Sequence, residues 1–120
     1  MKRALIIEDN ENNMELITFI LEANGFQTLQ AGSGVRGLEI AAAEHPDFIL
    51  LDIQLPDILG FEVVARLRRI PNCAAIPVIA VTSYAMAGDR ERLLAAGCDG
   101  YIEKPIDPMR FVEQINKVLR

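Results

Sequence analysis

His45 to Gly60 reads HPDFILLDIQLPDILG, and the fold follows from how its apolar run begins and ends. Phe48, Ile49, Leu50 and Leu51 are uninterrupted by any polar residue, the pattern of a strand buried on both faces of a parallel sheet rather than an edge strand with one wet side. The run stops on Asp52, and a loop carrying Pro56 and Gly60 follows at once. Asp52 therefore belongs at the carboxyl end of a central strand, where open α/β sheets bind and act on ligands. A lone aspartate at a strand end more often just caps the next turn; here other residues converge on the same edge.

On the amino-terminal side, Ala4 to Ile7 is a short apolar strand followed directly by Glu8, Asp9 and Asn10, and Asn12 to Asn24 is a helix closed by Gly25. Phe26 to Ala31 is a second strand and Gly34 to Glu44 a second helix. Beyond the central strand come a helix over Gly60 to Arg69, a strand over Pro77 to Thr82, a helix over Met86 to Ala96 stopped by Gly97, a strand over Gly100 to Glu103, and a closing helix from Pro108 to Arg120 with proline in its first turn. Strict alternation of strand and helix gives a parallel sheet with right-handed crossovers and helices on both faces. The expected architecture is a flavodoxin-like (βα)5 doubly wound sheet in strand order 2-1-3-4-5. At 120 residues one domain is expected, and, with no linker or repeat, no room for an output domain.

The first helix is unusually apolar. Glu11, Glu15, Thr18 and Glu22 form one narrow polar face, while Leu16, Phe19, Ile20, Ala23, Ile17, Leu21 and Met14 sweep roughly 220°, well beyond the ~100° needed to face a sheet. The surplus, Met14, Ile17 and Leu21, is either exposed as a partner-binding face or buried in a deeply packed helix.

A hydrophobic share of 51% supports a real core, but no apolar run approaches the ~18 residues of a membrane span. The start MKRALIIEDN leads straight from a short apolar run into acids and is no signal peptide; a soluble, cytoplasmic chain is the expectation. Net charge −5 argues against direct nucleic-acid binding, which needs a basic patch. Arg66, Arg68 and Arg69 read as a solvated helix face. Cys73 and Cys98 lack metal-ligand spacing and are expected to be buried or idle thiols. His45 is expected to end a helix on the surface.

In strand order 2-1-3-4-5 the first and third strands are neighbours, so Glu8 and Asp9 lie beside Asp52. Three carboxylates there repel and would raise each other's pKa unless a cation sits among them. Oxygen-only ligands favour Mg2+ over Zn2+. The fourth strand ends in the Thr82 hydroxyl and the fifth is followed by the Lys104 ammonium, so the same edge holds a hydrogen-bond donor and a positive charge. An ionised aspartate can attack phosphorus if a metal and cationic donors spread the transferring charge. Asp52 is the natural nucleophile; Asp9, with Glu8 behind it, Asp52 and the carbonyl of Gln54 would hold Mg2+; Lys104 would pair with a phosphoryl oxygen, and Thr82 would donate to another.

These residues resemble the receiver domain of two-component response regulators. The matching segments are IIEDN at 6 to 10, ILLDIQLPDILGFEV at 49 to 63, PVIAVTSYA at 77 to 85 and GCDGYIEKPID at 97 to 107, and the likeness runs from about Arg3 to Arg120. Within the family the chain looks most like the single-domain, DivK-like group. The resemblance implies phosphoryl transfer from a histidine kinase or histidine phosphotransfer protein onto Asp52, with Asp9, Asp52 and Gln54 coordinating Mg2+. It implies a switch in which Thr82 moves toward the phosphate and Tyr101 turns inward, altering the protein-binding face of the fourth helix, fifth strand and fifth helix. It also implies a cis Lys104–Pro105 peptide and kinase docking on the first helix and the Pro105 to Pro108 loop. Ser83 departs from the commonest pattern, in which Ala or Gly follows the threonine. Gln54 and Tyr84 flank the path of an attacking water and are expected to slow hydrolysis.

Two other classes compete. Gly32, Gly34 and Gly37 spell G-x-G-x-x-G after a strand, with an acid about 20 residues on, as in a dinucleotide fingerprint; but that strand is expected at the sheet edge, away from the switch point. An aspartyl-phosphatase of the haloacid dehalogenase type uses similar groups, but with a D-x-D on the first strand. Here Asp52-Ile53-Gln54 lacks the second acid, so an acceptor that holds its phosphoryl group is expected rather than a turnover enzyme.

Overall fold

The computed structural model describes residues 2–83 and 89–119. Phe48–Asp52 forms the central strand β3, and all of its residues are buried. Around it lie β1 (Arg3–Ile7), α1 (Glu11–Ala23), β2 (Gln27–Ala31), α2 (Gly34–Glu44), α3 (Gly60–Arg69), β4 (Val78–Thr82), α4 (Asp89–Ala96), β5 (Gly100–Glu103) and α5 (Phe111–Leu119). The sheet is parallel in the order β2-β1-β3-β4-β5, the doubly wound arrangement expected from the alternation.

Side chains alternate across a strand, and β3 divides two cores accordingly. Ile49 and Leu51 join Leu5, Ile7, Val78 and Ala80 in a layer that also takes Ala41 of α2 and Val63, Val64 and Leu67 of α3. Phe48 and Leu50 join Ile6, Ile79 and Ile102 against Ile17, Ile20 and Leu21 of α1 and Phe111 and Ile115 of α5. Register sets the functional edge: Ile7 pairs with Leu51, Asp52 with Val81 and Thr82 with Glu103. Glu8, Asp52, Thr82 and Lys104 thus all fall at the carboxyl ends of their strands.

One open sequence expectation is settled and two need correction. On α1 the stripe expected either as an exposed partner face or as packed is packed: Ile17 and Leu21 are buried and Met14 is half-buried, and the large exposed apolar side chains are Leu16 and, at 72%, Phe19. An apolar arc this wide does not fix the roll of the helix; the cap at Asn10, whose side chain accepts the Asn13 amide, and the packing partners on β1 and α5 do. Arg68 is no solvated residue: one guanidinium nitrogen donates to the carbonyls of Ala74 (3.1 Å) and Ile76 (2.8 Å), the other to the Gly97 carbonyl (2.7 Å) and the Asp99 carboxylate (3.0 Å). It ties the loops before β4 and β5 to α3. Finally, Pro108 precedes the last helix instead of opening it, because Asp107 gathers the amides of Met109, Arg110 and Phe111 into a separate turn.

Cys73 and Cys98 are free and buried, and His45 caps α2 with a left-handed backbone. The expected start of the fourth helix at Met86, Tyr84 beside the water path, and the terminal Arg120 lie outside the described residues. No described helix is long and apolar enough to cross a membrane.

Candidate functional site

An open cleft of about 1080 Å³ sits at the carboxyl edge, lined among others by Glu8, Asp9, Asp52, Gln54, Ser83 and Lys104. Each arrives by the same local logic: an apolar strand runs out of the core and its next residue is polar. Asp52 ends β3 and is only 6% exposed; Glu8, one residue past β1, is 3% exposed. Asp9, the next residue, is exposed at the cleft. Thr82 is buried at the end of β4 and is not among the residues that line the cleft. Tyr101 is half-buried on β5 against the α3 side of the sheet.

Lys104 closes the site from β5. Its Nζ lies 2.9 Å from Glu8 Oε1 and 3.6 Å from Asp52 Oδ2, and its own amide donates to the Thr82 carbonyl at 2.8 Å. The Lys104–Pro105 peptide is cis. Backbone amides finish the carboxylates: Gln54 donates to Asp52 Oδ1 at 3.0 Å and Asn10 to Glu8 Oε2 at 3.2 Å.

The carboxylates do not rise together in pKa. Burial, then a hydrogen bond and repulsion from Glu8, push the Asp52 carboxyl up to about 7, against the opposing pull of the Gln54 amide and Lys104. Burial also pushes Glu8 up, but its bonds to Asp52, Lys104 and the Asn10 amide outweigh that and hold it below the usual range. Of the two, Asp52 is the one whose protonated form the site favours, while Glu8 favours its charged form, facing the ammonium. Sequence reasoning put Glu8 behind Asp9; its contact with Lys104 spans 96 positions and leaves no local signal.

One oxygen from each of Glu8, Asp9 and Asp52 lies within 4.8 Å of the others. The donors are all carboxylate oxygens, with neither nitrogen nor sulfur among them, which fits a hard divalent cation such as Mg2+ and not a soft or borderline one.

The glycine fingerprint has another use. A Cβ on Gly37 would lie 2.4 Å from Ile7, and one on Gly34 2.5 Å from Ile58, so these glycines let α2 approach β1 and the β3–α3 loop. The amides of Gly34 and Val35, where a pyrophosphate would bind, are already taken by the Asp57 carboxylate at 2.9 Å each. Nothing in the sequence between Leu55 and Leu59 flagged Asp57.

The family model described as response regulator receiver domain matches residues 4–116. The chain is 48% identical over 118 residues to the polar-differentiation response regulator DivK of Brucella ovis, covering 98% of this chain and 96% of that one, and 46% identical to its counterpart in Brucella anthropi over the same spans. Among solved structures, the chemotaxis protein CheY4 of Vibrio cholerae superposes with a TM-score of 0.93 at 23% identity, covering 98% of both chains. The receiver domain of a sensor histidine kinase from Pseudomonas aeruginosa, determined with a magnesium ion coordinated in its active site cleft, has a TM-score of 0.89 at 29% identity, covering 98% of this chain and 97% of that one.

Proposed function

The chain belongs to the response regulator receiver family, and from that membership we propose that Asp52 accepts a phosphoryl group from the phosphohistidine of a histidine kinase or histidine phosphotransfer protein. The observation that carries this is Asp52 itself: a buried carboxylate on the central strand, with the Gln54 amide on one oxygen and Lys104 3.6 Å from the other. An oxygen of the ionised Asp52 carboxylate attacks phosphorus, the P–N bond breaks, and the departing imidazole takes up a proton from water. Lys104 exchanges its contact with Asp52 for one with a phosphoryl oxygen, and Glu8 keeps the ammonium in place during that exchange. The oxygens of Glu8, Asp9 and Asp52 and the Gln54 carbonyl would hold Mg2+. When bound, Mg2+ neutralises charge on the carboxylates and the transferring group.

Residues 1–120 act as one receiver unit in the cytoplasm, catalysing their own phosphorylation and slow dephosphorylation rather than turning over an external substrate. Added phosphate charge and acceptor oxygens draw the Thr82 hydroxyl toward Asp52, and Tyr101 turns inward behind it. The surface of α4, β5 and α5 changes in response and selects a downstream protein. The donor docks on α1 and on the Pro105 to Pro108 loop. Supporting the α1 assignment, Phe19 and Leu16 are exposed there, as is Met109 beside the loop.

Intact-protein mass after incubation with acetyl phosphate and Mg2+ tests this. The parent chain is expected to gain one phosphate-sized increment that requires Mg2+ and is absent from Asp52→Asn. An equal gain in Asp52→Asn overturns the assignment of the acceptor, and no gain in the parent with either acetyl phosphate or a phosphorylated phosphotransfer protein overturns the function.

A further inference from the structure

The loop between β3 and α3 is tied at both ends. The Gly60 amide donates to the Ile53 carbonyl at 3.0 Å, and a Cβ on Gly60 would lie 2.7 Å from the Ile53 Cα, so the two strands of the loop touch where it opens and closes. Its tip is held from elsewhere. Asp57 Oδ1 accepts the Gly34 amide and Oδ2 the Val35 amide, both at 2.9 Å and across 23 and 22 positions of sequence. Amides in the first turn of a helix have no intrahelical partner, and a carboxylate is favoured there by the helix dipole. Those bonds from Val35 and Gly34 hold the Asp57 carboxyl below its ordinary range. Ile58 packs over Gly34, where a Cβ would come within 2.5 Å of it. The remaining cap is independent of the loop: Ser33 Oγ accepts the Arg36 amide at 3.2 Å.

The same loop begins with Gln54, whose amide bonds Asp52 Oδ1. We propose that Asp57 is a positioning residue for the metal site: by fastening the loop tip to α2 it fixes the backbone at Gln54 against Asp52, so that the Gln54 carbonyl is presented to Mg2+ without reordering. This rests on the Mg2+ reading above. Asp57 touches neither metal nor phosphate; it acts through the loop.

The test is calorimetric titration of Mg2+ into the parent, Asp57→Ala, Asp57→Asn and Ser33→Ala, with a thermal melt of each. Asp57→Ala is expected to weaken Mg2+ binding roughly tenfold, as loss of an outer support for a ligand does, and Asp57→Asn, which keeps one acceptor oxygen, to fall between it and the parent. Ser33→Ala removes a cap from the same helix without touching the loop; it is expected to lower Tm and leave Mg2+ affinity unchanged. Parent-like affinity in Asp57→Ala overturns the proposal alone. Equal weakening by Ser33→Ala also overturns it, because the effect would then belong to the helix. A parent that takes up no Mg2+ overturns the metal reading and the proposal together.

Discussion

Burial pushes both Asp52 and Glu8 up, but the hydrogen bond between them raises Asp52 and lowers Glu8, and Lys104, 2.9 Å from Glu8 and 3.6 Å from Asp52, favours charge on Glu8 more strongly. A carboxyl held near 7 in the folded chain and near ~3.9 in the unfolded one contributes its full stability only below the lower value. That contribution falls as pH rises toward the higher one. In Mg2+-free buffer, Asp52→Asn is therefore expected to be more stable than the parent, by about 2 kcal/mol more at pH 8 than at pH 5. Urea unfolding at the two pH values measures it, and an equal difference at both would mean that Asp52 titrates normally. Lys104→Gln removes the cation from both carboxylates and from the incoming phosphoryl group. Phosphorylation by acetyl phosphate is expected to slow about 10²-fold, the usual cost of a lost donor at a developing charge, and a parent-like rate would remove Lys104 from the chemistry.

Two arginines on one helix show how packing sorts residues of one type. Arg66 meets Glu62 at 3.3 Å with both side chains about half exposed, whereas Arg68 fills four acceptors from two loops. Replacement of Arg68 by Ala is expected to cost about 2–3 kcal/mol and replacement of Arg66 under about 0.5 kcal/mol, read as the shift in urea midpoint; equal losses would contradict the structure. The α2 terminus titrates through Asp57, whose folded-state pKa is lowered. Such a group adds stability above its unfolded value and loses it as pH falls through the folded one. The Tm difference between the parent and Asp57→Ala is thus expected to be constant from pH 5 to 8 and to shrink near pH 3.

Across the whole molecule, α1 presents Leu16 and Phe19 to solvent and Ile17 to the core. Phe19→Glu is expected to slow phosphotransfer from the donor protein while leaving the acetyl phosphate reaction unchanged, whereas Ile17→Glu buries a charge and is expected to unfold the chain. A Phe19→Glu variant phosphorylated normally by its donor would move the docking face elsewhere. The strand-and-helix alternation, the buried centre at Phe48 to Leu51, and the polar residues ending each strand were all legible in the sequence. Each is a local pattern, and parallel pairing with right-handed crossovers leaves few ways to assemble them, so Glu8, Asp52, Thr82 and Lys104 had to share one edge. The cis Lys104–Pro105 bond came from family resemblance alone. Other features were settled only in three dimensions: which part of the wide apolar arc of α1 is buried, that Glu8 rather than Asp9 turns inward to Lys104, that Arg68 bridges two loops, and that Asp57 reaches α2. These contacts join residues tens of positions apart, where hydrophobic periodicity carries no information and only the packed arrangement of elements decides which polar group meets which.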